Sequence, residues 1–406
     1  MYTCKFERLD NKLTYITLLS YVKICGCGLY RIILHINIAY MNNPTLPKLA
    51  ILFGGESSEH EVSLQSASNI FNAVDTAMFN PVLIGITKEG RWMFHPDYPL
   101  NQVNLAEKNY FDGAIEVMMW NRNGQAEIMT MAEAKTLFKV DVVFPIIHGS
   151  FGEDGTLQGI LRGFKVPFVG PDILGTALCM DKDVTKRILK ESGIQVADGI
   201  VVQKHDQGAL DFDAIVEKLG LPVFVKPANA GSSVGVSKVT DSLSFKKAIE
   251  EGFKFDIKIL IEEAIIGKEV ECAILGNEEP QPSILGEIIP TVDFYSYEAK
   301  YLSDSGAILK IPADVPEDIA FEIRDTAVRA FKVTGCEGMA RVDFFLQEDG
   351  NFILNEINTL PGFTKISMYP QMWGRTGISY SDLISKLVKL AFERHERSNK
   401  LERVID

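Results

Sequence analysis

From Pro47 onward, short apolar runs alternate with amphipathic stretches, the patterning of an α/β chain. Leu49 to Phe53 is apolar throughout and ends in Gly54-Gly55, which predicts a buried strand closed by a turn. A helix is predicted to start near Ser58, because apolar Val62, Ala67, Ile70, Phe71 and Val74 recur at three- and four-residue spacing. Further strands are expected at Pro81 to Thr87 and Val140 to Ile147, with a variable, turn-rich region between them. Asp181 to Glu191 reads as a helix closed by Gly193, and Val223 to Lys226 with Val234 to Val239 as two strands around a Gly-Ser loop. Val315 to Val333 is the clearest helix of the C-terminal half, with Pro316 in its first turn and Gly335 at its end. No internal repeat is visible.

Composition adds bounds. The 406 residues suffice for two to four domains, and 46% apolar with 23% charged residues is ordinary for a globular enzyme. A net charge of −13 gives no global support for binding nucleic acid or an anionic membrane. Residues 1–46 differ: they contribute +3, leaving −16 for the rest, and hold three of the six cysteines. Their apolar stretch from Leu13 to Tyr40 is broken by Lys23, Arg31 and His35, too soon for a spanning helix, and no small-residue cleavage site follows. The expectation is that translation starts at Met41 and that residues 1–46 are a non-native or disordered extension. Cys25-Gly-Cys27 lacks a second pair to complete a four-ligand metal site; Cys179, Cys272 and Cys336 read as reduced core thiols of a cytoplasmic protein.

The most informative segment runs from Arg341 to Asn358. Asp349-Gly350 lies between two apolar-rich runs, a hairpin signal. Folding about it pairs Glu348 with Asn351, Leu346 with Ile353, Asp343 with Glu356 and Arg341 with Asn358, so the last four polar groups share one face. Facing carboxylates repel and call for a cation or a proton between them; Asp, Glu and Asn oxygens suit Mg²⁺ in company with phosphates. A solvated strand face, with Arg341 neutralising one acid, accounts equally well for the pattern, and a three-residue turn would shift the register.

Three other segments carry chemistry. Lys226 ends a strand and is followed by Gly231-Ser232-Ser233, whose backbone N–H groups and hydroxyls suit phosphate oxygens; the spacing is not that of a P-loop. The alternative is an ordinary Gly-Ser turn with a surface lysine. Gly54-Gly55 imitates a dinucleotide fingerprint but lacks the third glycine and the later acid. There Ser58 with Glu61 fits a capping box, and His60 reads as a solvated first-turn residue. A second Gly-rich turn, residues 148–155, also follows a strand, so both turns are expected on one carboxyl edge of a parallel sheet.

Taken in order, these segments resemble the D-alanine:D-alanine ligases of the ATP-grasp superfamily, from about Leu49 to Leu390. The likeness rests on residues 54–63, 148–159, Met180-Asp-Lys182, Lys226-Pro with 231–235, Tyr297-Glu-Ala-Lys300-Tyr301 and 355–364. The resemblance implies an α/β (α+β) ATP-grasp fold of three domains: a Rossmann-like N-terminal substrate domain at 47–170, a central ATP-grasp subdomain at 171–265 and a C-terminal one at 266–406 carrying the Mg-binding hairpin and a closing loop. It implies ATP as co-substrate, with Lys182 and Lys226 on its phosphates, Glu262, Glu263 and Ile265 at adenine, Glu269 at ribose, and Ser233 and Lys300 in the same nucleotide site. Asp343, Glu356 and Asn358 would hold two Mg²⁺ (or Mn²⁺) ions. Glu61 would pair with the ammonium of the first D-alanine through hydrogen bonds with Ser232 and Tyr301, Arg341 would stabilise the oxyanion, and Ser367 would hold the second carboxylate.

The implied activity is ligation of two D-alanines through an acyl phosphate for peptidoglycan precursor synthesis, by a cytoplasmic homodimer with no nucleic-acid or membrane partner. Tyr295 to Ser305 would close on the site. Lys365-Ile366-Ser367-Met368 departs from the Ser-His-Ser-Leu of many members, while Lys300-Tyr301 is the pair associated with D-alanine rather than D-lactate or D-serine as second substrate. Another ATP-grasp carboxylate-amine ligase is the nearest rival. A nicotinamide-dependent oxidoreductase is disfavoured by the incomplete fingerprint, and a non-catalytic scaffold by the competent residue at each expected ligand position.

Overall fold

The computed structural model describes residues 3–5, 15–23, 29–37, 46–107, 109–291 and 307–402. The chain forms two compact units, Met1–Pro47 and Lys48–Asp406. In the first, strands Thr3–Lys5, Tyr15–Lys23 and Leu29–Asn37 pair antiparallel in sequence order.

The second unit begins with a seven-stranded sheet. Lys48–Gly54 lies between Val142–Ile146 and Asn80–Ile86, parallel to both. Its apolar run is continuous because both faces are covered. Leu49, Ile51 and Phe53 join a core with Ala67 and Ile70 of the helix His60–Ala73, while Ala50 and Leu52 pack with Leu157 and Leu161 of the helix Thr156–Gly163. The expected strand at Val140 to Ile147 is two strands, Thr136–Val140 and Val142–Ile146, parted at Asp141, whose carboxylate accepts from Lys48 N at 2.7 Å. The turn-rich region also holds Trp92–Phe94, Ile115–Arg122 and Gln125–Thr130, an antiparallel extension of the sheet in which Ile115–Arg122 is half exposed while Gln125–Thr130 buries its four central residues.

A four-stranded antiparallel sheet follows, in the order Gly199–Gln203, Lys258–Glu263, Val223–Pro227, Ser237–Val239. Helix Ser242–Phe255 covers it through Phe245, Ala248, Ile249 and Phe253. The third sheet is antiparallel and five-stranded: Ala307–Lys310, Gln281–Pro290, Lys268–Gly276, Gly338–Leu346, Phe352–Asn358. One face of it, including Val270, Cys272, Val342 and Phe344, packs on helix Glu317–Val333. That helix begins two residues later than the pattern suggested, with Pro316 as its N-cap. Expectation and structure also differ by one residue at Asp181, which caps helix Lys182–Glu191 by accepting from the N–H groups of Asp183 and Val184.

The C-terminal helices Met368–Thr376 and Tyr380–Asn399 share one core with the first sheet. Arg394 fixes that contact: its guanidinium is buried, donates to the carbonyls of Gly170 and Phe168, and lies 4.4 Å from the centre of the Phe168 ring. No helix among the described residues is long and apolar enough to cross a membrane.

Candidate active site

The hairpin of Gly338–Leu346 and Phe352–Asn358 turns through three residues, with Gln347 N donating to Asn351 O. Its near end therefore pairs Leu346 with Phe352, one residue away from the expected register. A bulge at Asn355 takes up the extra residue, and beyond it Asp343 faces Glu356 and Arg341 faces Asn358 as the two-residue turn would have placed them. The polar face survives because Val342, Phe344, Leu354 and Ile357 are all claimed by the core on the other side.

On that face the Arg341 guanidinium donates to both Asp343 oxygens at 2.8 Å, and its Nε lies 3.0 Å from Glu271 Oε2. Burial works against its charge, but Asp343 and Glu271 more than offset this and hold it protonated well above its usual range. Among the described residues no three His, Cys, Asp or Glu side chains converge as a metal site. The hairpin offers instead two carboxylates and an amide. Asn358 Oδ1 is buried with no hydrogen-bond partner, a costly state that a hard cation beside Asp343 and Glu356 would relieve, so the donor set fits Mg²⁺.

Lys182 connects this face to the Gly-Ser loop. Its backbone N–H donates to Ala228 O at 3.0 Å, its ammonium donates to Ala230 O at 2.7 Å, and Glu356 Oε2 lies 3.5 Å away. In the loop, Ser232 (φ 49) and Ser233 (φ 61) take the left-handed conformation that L-residues avoid, a strained turn typical of ligand-binding backbone. Behind it, Lys226 and Lys186 contact the two oxygens of the buried Glu262 carboxylate at 2.6 and 2.8 Å. Burial pushes Glu262 upward, yet Lys226 and Lys186 outweigh it and keep the carboxyl below its ordinary value. Burial and Lys226 push Lys186 down to about 8, against the pull of Glu262. Lys186 was not anticipated from the sequence, although it lies one helical turn after Lys182 and on a neighbouring face.

The two Gly-rich turns do meet at the carboxyl edge of the parallel strands: Ser57 Oγ donates to His148 O at 2.6 Å. Gly152 is required there, since a Cβ would sit 1.8 Å from Ile147 O. The acid that enters the site is Glu59, not Glu61. Helix His60–Ala73 buries His60, Ser63, Leu64 and Ala67, a stripe that leaves Glu61 outside, exposed and paired with Lys88 at 3.1 Å. Glu59 is the N-cap residue; its carboxylate is buried, accepts from the Ser232 hydroxyl and borders Gly149 and Gly231. The Ser58–Glu61 capping box is thus absent. His60 is buried rather than solvated, its Nδ1–H donating to Gly55 O at 2.8 Å.

Glu153 and His148 form a further polar cluster under Glu59. Glu153 accepts from Gly149 N at 2.7 Å and Leu360 N at 3.0 Å; burial and the nearby Glu59 push it up to about 8 despite both donors. His148 donates from Nδ1 to Leu360 O at 2.9 Å, and burial lowers its pKa. Elsewhere, Glu263 accepts from Asp198 N at 2.7 Å, and Ile265 and Glu269 are half-buried. Ser367 is half-buried at the start of helix Met368–Thr376, its hydroxyl accepting from Thr364 N at 3.0 Å. Lys300 and Tyr301, with the loop Tyr295 to Ser305, lie outside the described residues.

Residues 48–171 match the family model described as the D-ala D-ala ligase N-terminus, and residues 188–389 the one described as the D-ala D-ala ligase C-terminus. A D-alanine--D-alanine ligase of Oceanobacillus iheyensis is 50% identical over 359 residues, covering 87% of this chain and 98% of the relative. D-alanine--D-alanine ligase A of Escherichia coli K12 is 47% identical over 357 residues, covering 87% and 98%. Among solved structures, the D-alanine-D-alanine ligase of Coxiella burnetii is 35% identical with a TM-score of 0.78, covering 87% of this chain and 96% of its own. The VanG D-Ala:D-Ser ligase of Enterococcus faecalis is 36% identical with a TM-score of 0.77, covering 86% and 100%.

Proposed function

We infer that this chain, which belongs to the D-alanine–D-alanine ligase family of the ATP-grasp superfamily, joins two D-alanines into D-alanyl-D-alanine for peptidoglycan synthesis. It is an ATP-dependent ligase. The observation that carries the site reading is the hairpin face, where Arg341, Asp343, Glu356 and Asn358 converge beside Lys182.

In this reading the carboxylate of the first D-alanine attacks the γ-phosphorus of ATP, releasing ADP and forming an acyl phosphate. The amine of the second D-alanine then attacks the acyl carbon, and phosphate leaves through a tetrahedral intermediate. Lys182 and Lys226 bind the phosphates with the Ser233 segment, Glu262, Glu263 and Ile265 meet adenine, Glu269 meets ribose, and Lys300 belongs to the same nucleotide site. Mg²⁺ (or Mn²⁺) ions held by Asp343, Glu356 and Asn358 would supply charge neutralisation for the transferred phosphoryl group. Glu59, in the place expected for Glu61, takes the first ammonium, and Ser232 orients it together with Tyr301. Arg341 faces the developing oxyanion, and Ser367 holds the second carboxylate. The segment Tyr295 to Ser305 excludes water from the acyl phosphate. The enzyme works in the cytoplasm as a homodimer, with ATP and D-alanine rather than nucleic acid or membrane as its partners.

Purified protein given ATP, Mg²⁺ and D-alanine is expected to release phosphate and form the dipeptide, whereas L-alanine gives neither. Absence of phosphate release at saturating substrate would overturn the assignment. The D-Ala:D-Ser neighbour supplies a second reading, which Lys300-Tyr301 disfavours; D-serine and D-lactate as second substrates, scored by product mass, separate the cases.

A further inference from the structure

Glu271 was not among the residues singled out by sequence, yet it is buried at 4% exposure in the middle of strand Lys268–Gly276. It stands directly across from Asp343 in the antiparallel pairing with Gly338–Leu346, and Ala273 stands across from Arg341. Its neighbours Val270 and Cys272 belong to the core on the opposite face, so Glu271 points to the polar one. Arg341 is thereby flanked by two carboxylates: both Asp343 oxygens accept from it at 2.8 Å, and Glu271 Oε2 lies 3.0 Å from its Nε.

This arrangement poses a physical problem that Glu271 resolves. A guanidinium and a divalent cation compete for the same carboxylate, and both Asp343 oxygens already accept from Arg341. If Asp343 turned to a cation with no other anion at hand, Arg341 would be left as a buried, uncompensated charge, a state that costs several kcal/mol. We propose that Glu271 is a positioning residue that takes over Arg341 when Asp343 engages a divalent cation, so that the metal and the oxyanion-stabilising guanidinium occupy adjacent places at once. The proposal rests on the reading of Asp343 as a metal ligand.

The test measures Mn²⁺ affinity in the presence of ADP by electron paramagnetic resonance, without turnover, for wild type, Glu271→Gln, Arg341→Met and the double variant. Glu271→Gln is expected to weaken Mn²⁺ binding about tenfold, the usual size of an outer-shell effect. In the Arg341→Met background the same change is expected to weaken it by less than about twofold, because there is no guanidinium left to compete. Equal weakening in both backgrounds would overturn the proposal, since a plain loss of negative field needs no Arg341. Unchanged affinity in Glu271→Gln would overturn it as well. Wild-type protein that binds no Mn²⁺ would overturn the metal reading itself, a distinct result. Should Glu271→Gln fail to unfold cooperatively on heating, the same cycle is run with Glu271→Asp, which keeps the charge but withdraws it by one methylene and is judged by the same criterion.

Discussion

The side chains Glu59 and Glu61 lie two positions apart and have opposite fates, buried beside Ser232 in one case and exposed beside Lys88 in the other. Glu59→Gln is expected to lower kcat/KM for the first D-alanine by about 30- to 100-fold, the scale of a charged hydrogen bond, while Glu61→Gln stays near wild type. Steady-state kinetics at saturating ATP checks both, and a reversed order would restore the outward acid to the site. The pattern pointed to Glu61, because only it stands in Ser-x-x-Glu spacing, with Ser58; what decides is the helix phase set by Ser63, Leu64 and Ala67. Glu153 gives a pH prediction. Its carboxyl is raised to about 8 when folded, so the neutral form is the favoured one. Its contribution to stability is therefore fully present below the unfolded-state pKa and is lost as pH rises through about 8. Thermal unfolding between pH 5 and 9 is expected to show a decline that Glu153→Gln flattens; an equal decline in both proteins would contradict this.

Among the elements, the hairpin was the most legible and for partly wrong reasons. Two departures cancel: a three-residue turn displaces the register and the bulge at Asn355 restores it, so the facing pairs hold only beyond the bulge. Local turn signals do not reveal a compensating bulge several residues away. Deleting Asn355 should remove the bulge and leave plain alternation, with Leu354 and Ile357 kept on the core face and Glu356 and Asn358 on the polar one. Turnover is expected to persist, with circular dichroism little changed; a folded deletion variant without turnover would show that the bulge itself, and not only the pairing of Asp343 with Glu356, sets the site. Of the central sheet only Val223–Pro227 and Ser237–Val239 were foreseen, the latter as Val234 to Val239, while helix Glu317–Val333 was plain from its pattern. The strands between residues 92 and 130 were not, because Trp92–Phe94 spans only three residues and Ile115–Arg122 and Gln125–Thr130 break strict apolar alternation.

For the molecule as a whole, the charge of −13 concealed the basic groups Lys182, Lys186, Lys226 and Arg341, carried by helix Lys182–Glu191 and strands Val223–Pro227 and Gly338–Leu346. Composition could not show Arg394 either, a surface-type residue buried where the last helix meets the segment 168–170. Arg394→Met should strand two carbonyls and lower stability by about 2–4 kcal/mol, read by denaturant unfolding, while kcat at low temperature stays close to wild type. The central claim is that ligation proceeds through an acyl phosphate formed on the first D-alanine. Its most direct measurement uses D-alanine carrying ¹⁸O in its carboxylate, with mass analysis of the inorganic phosphate released. Phosphate that has acquired ¹⁸O from the amino acid is the predicted result; dipeptide formed with unlabelled phosphate would contradict the account.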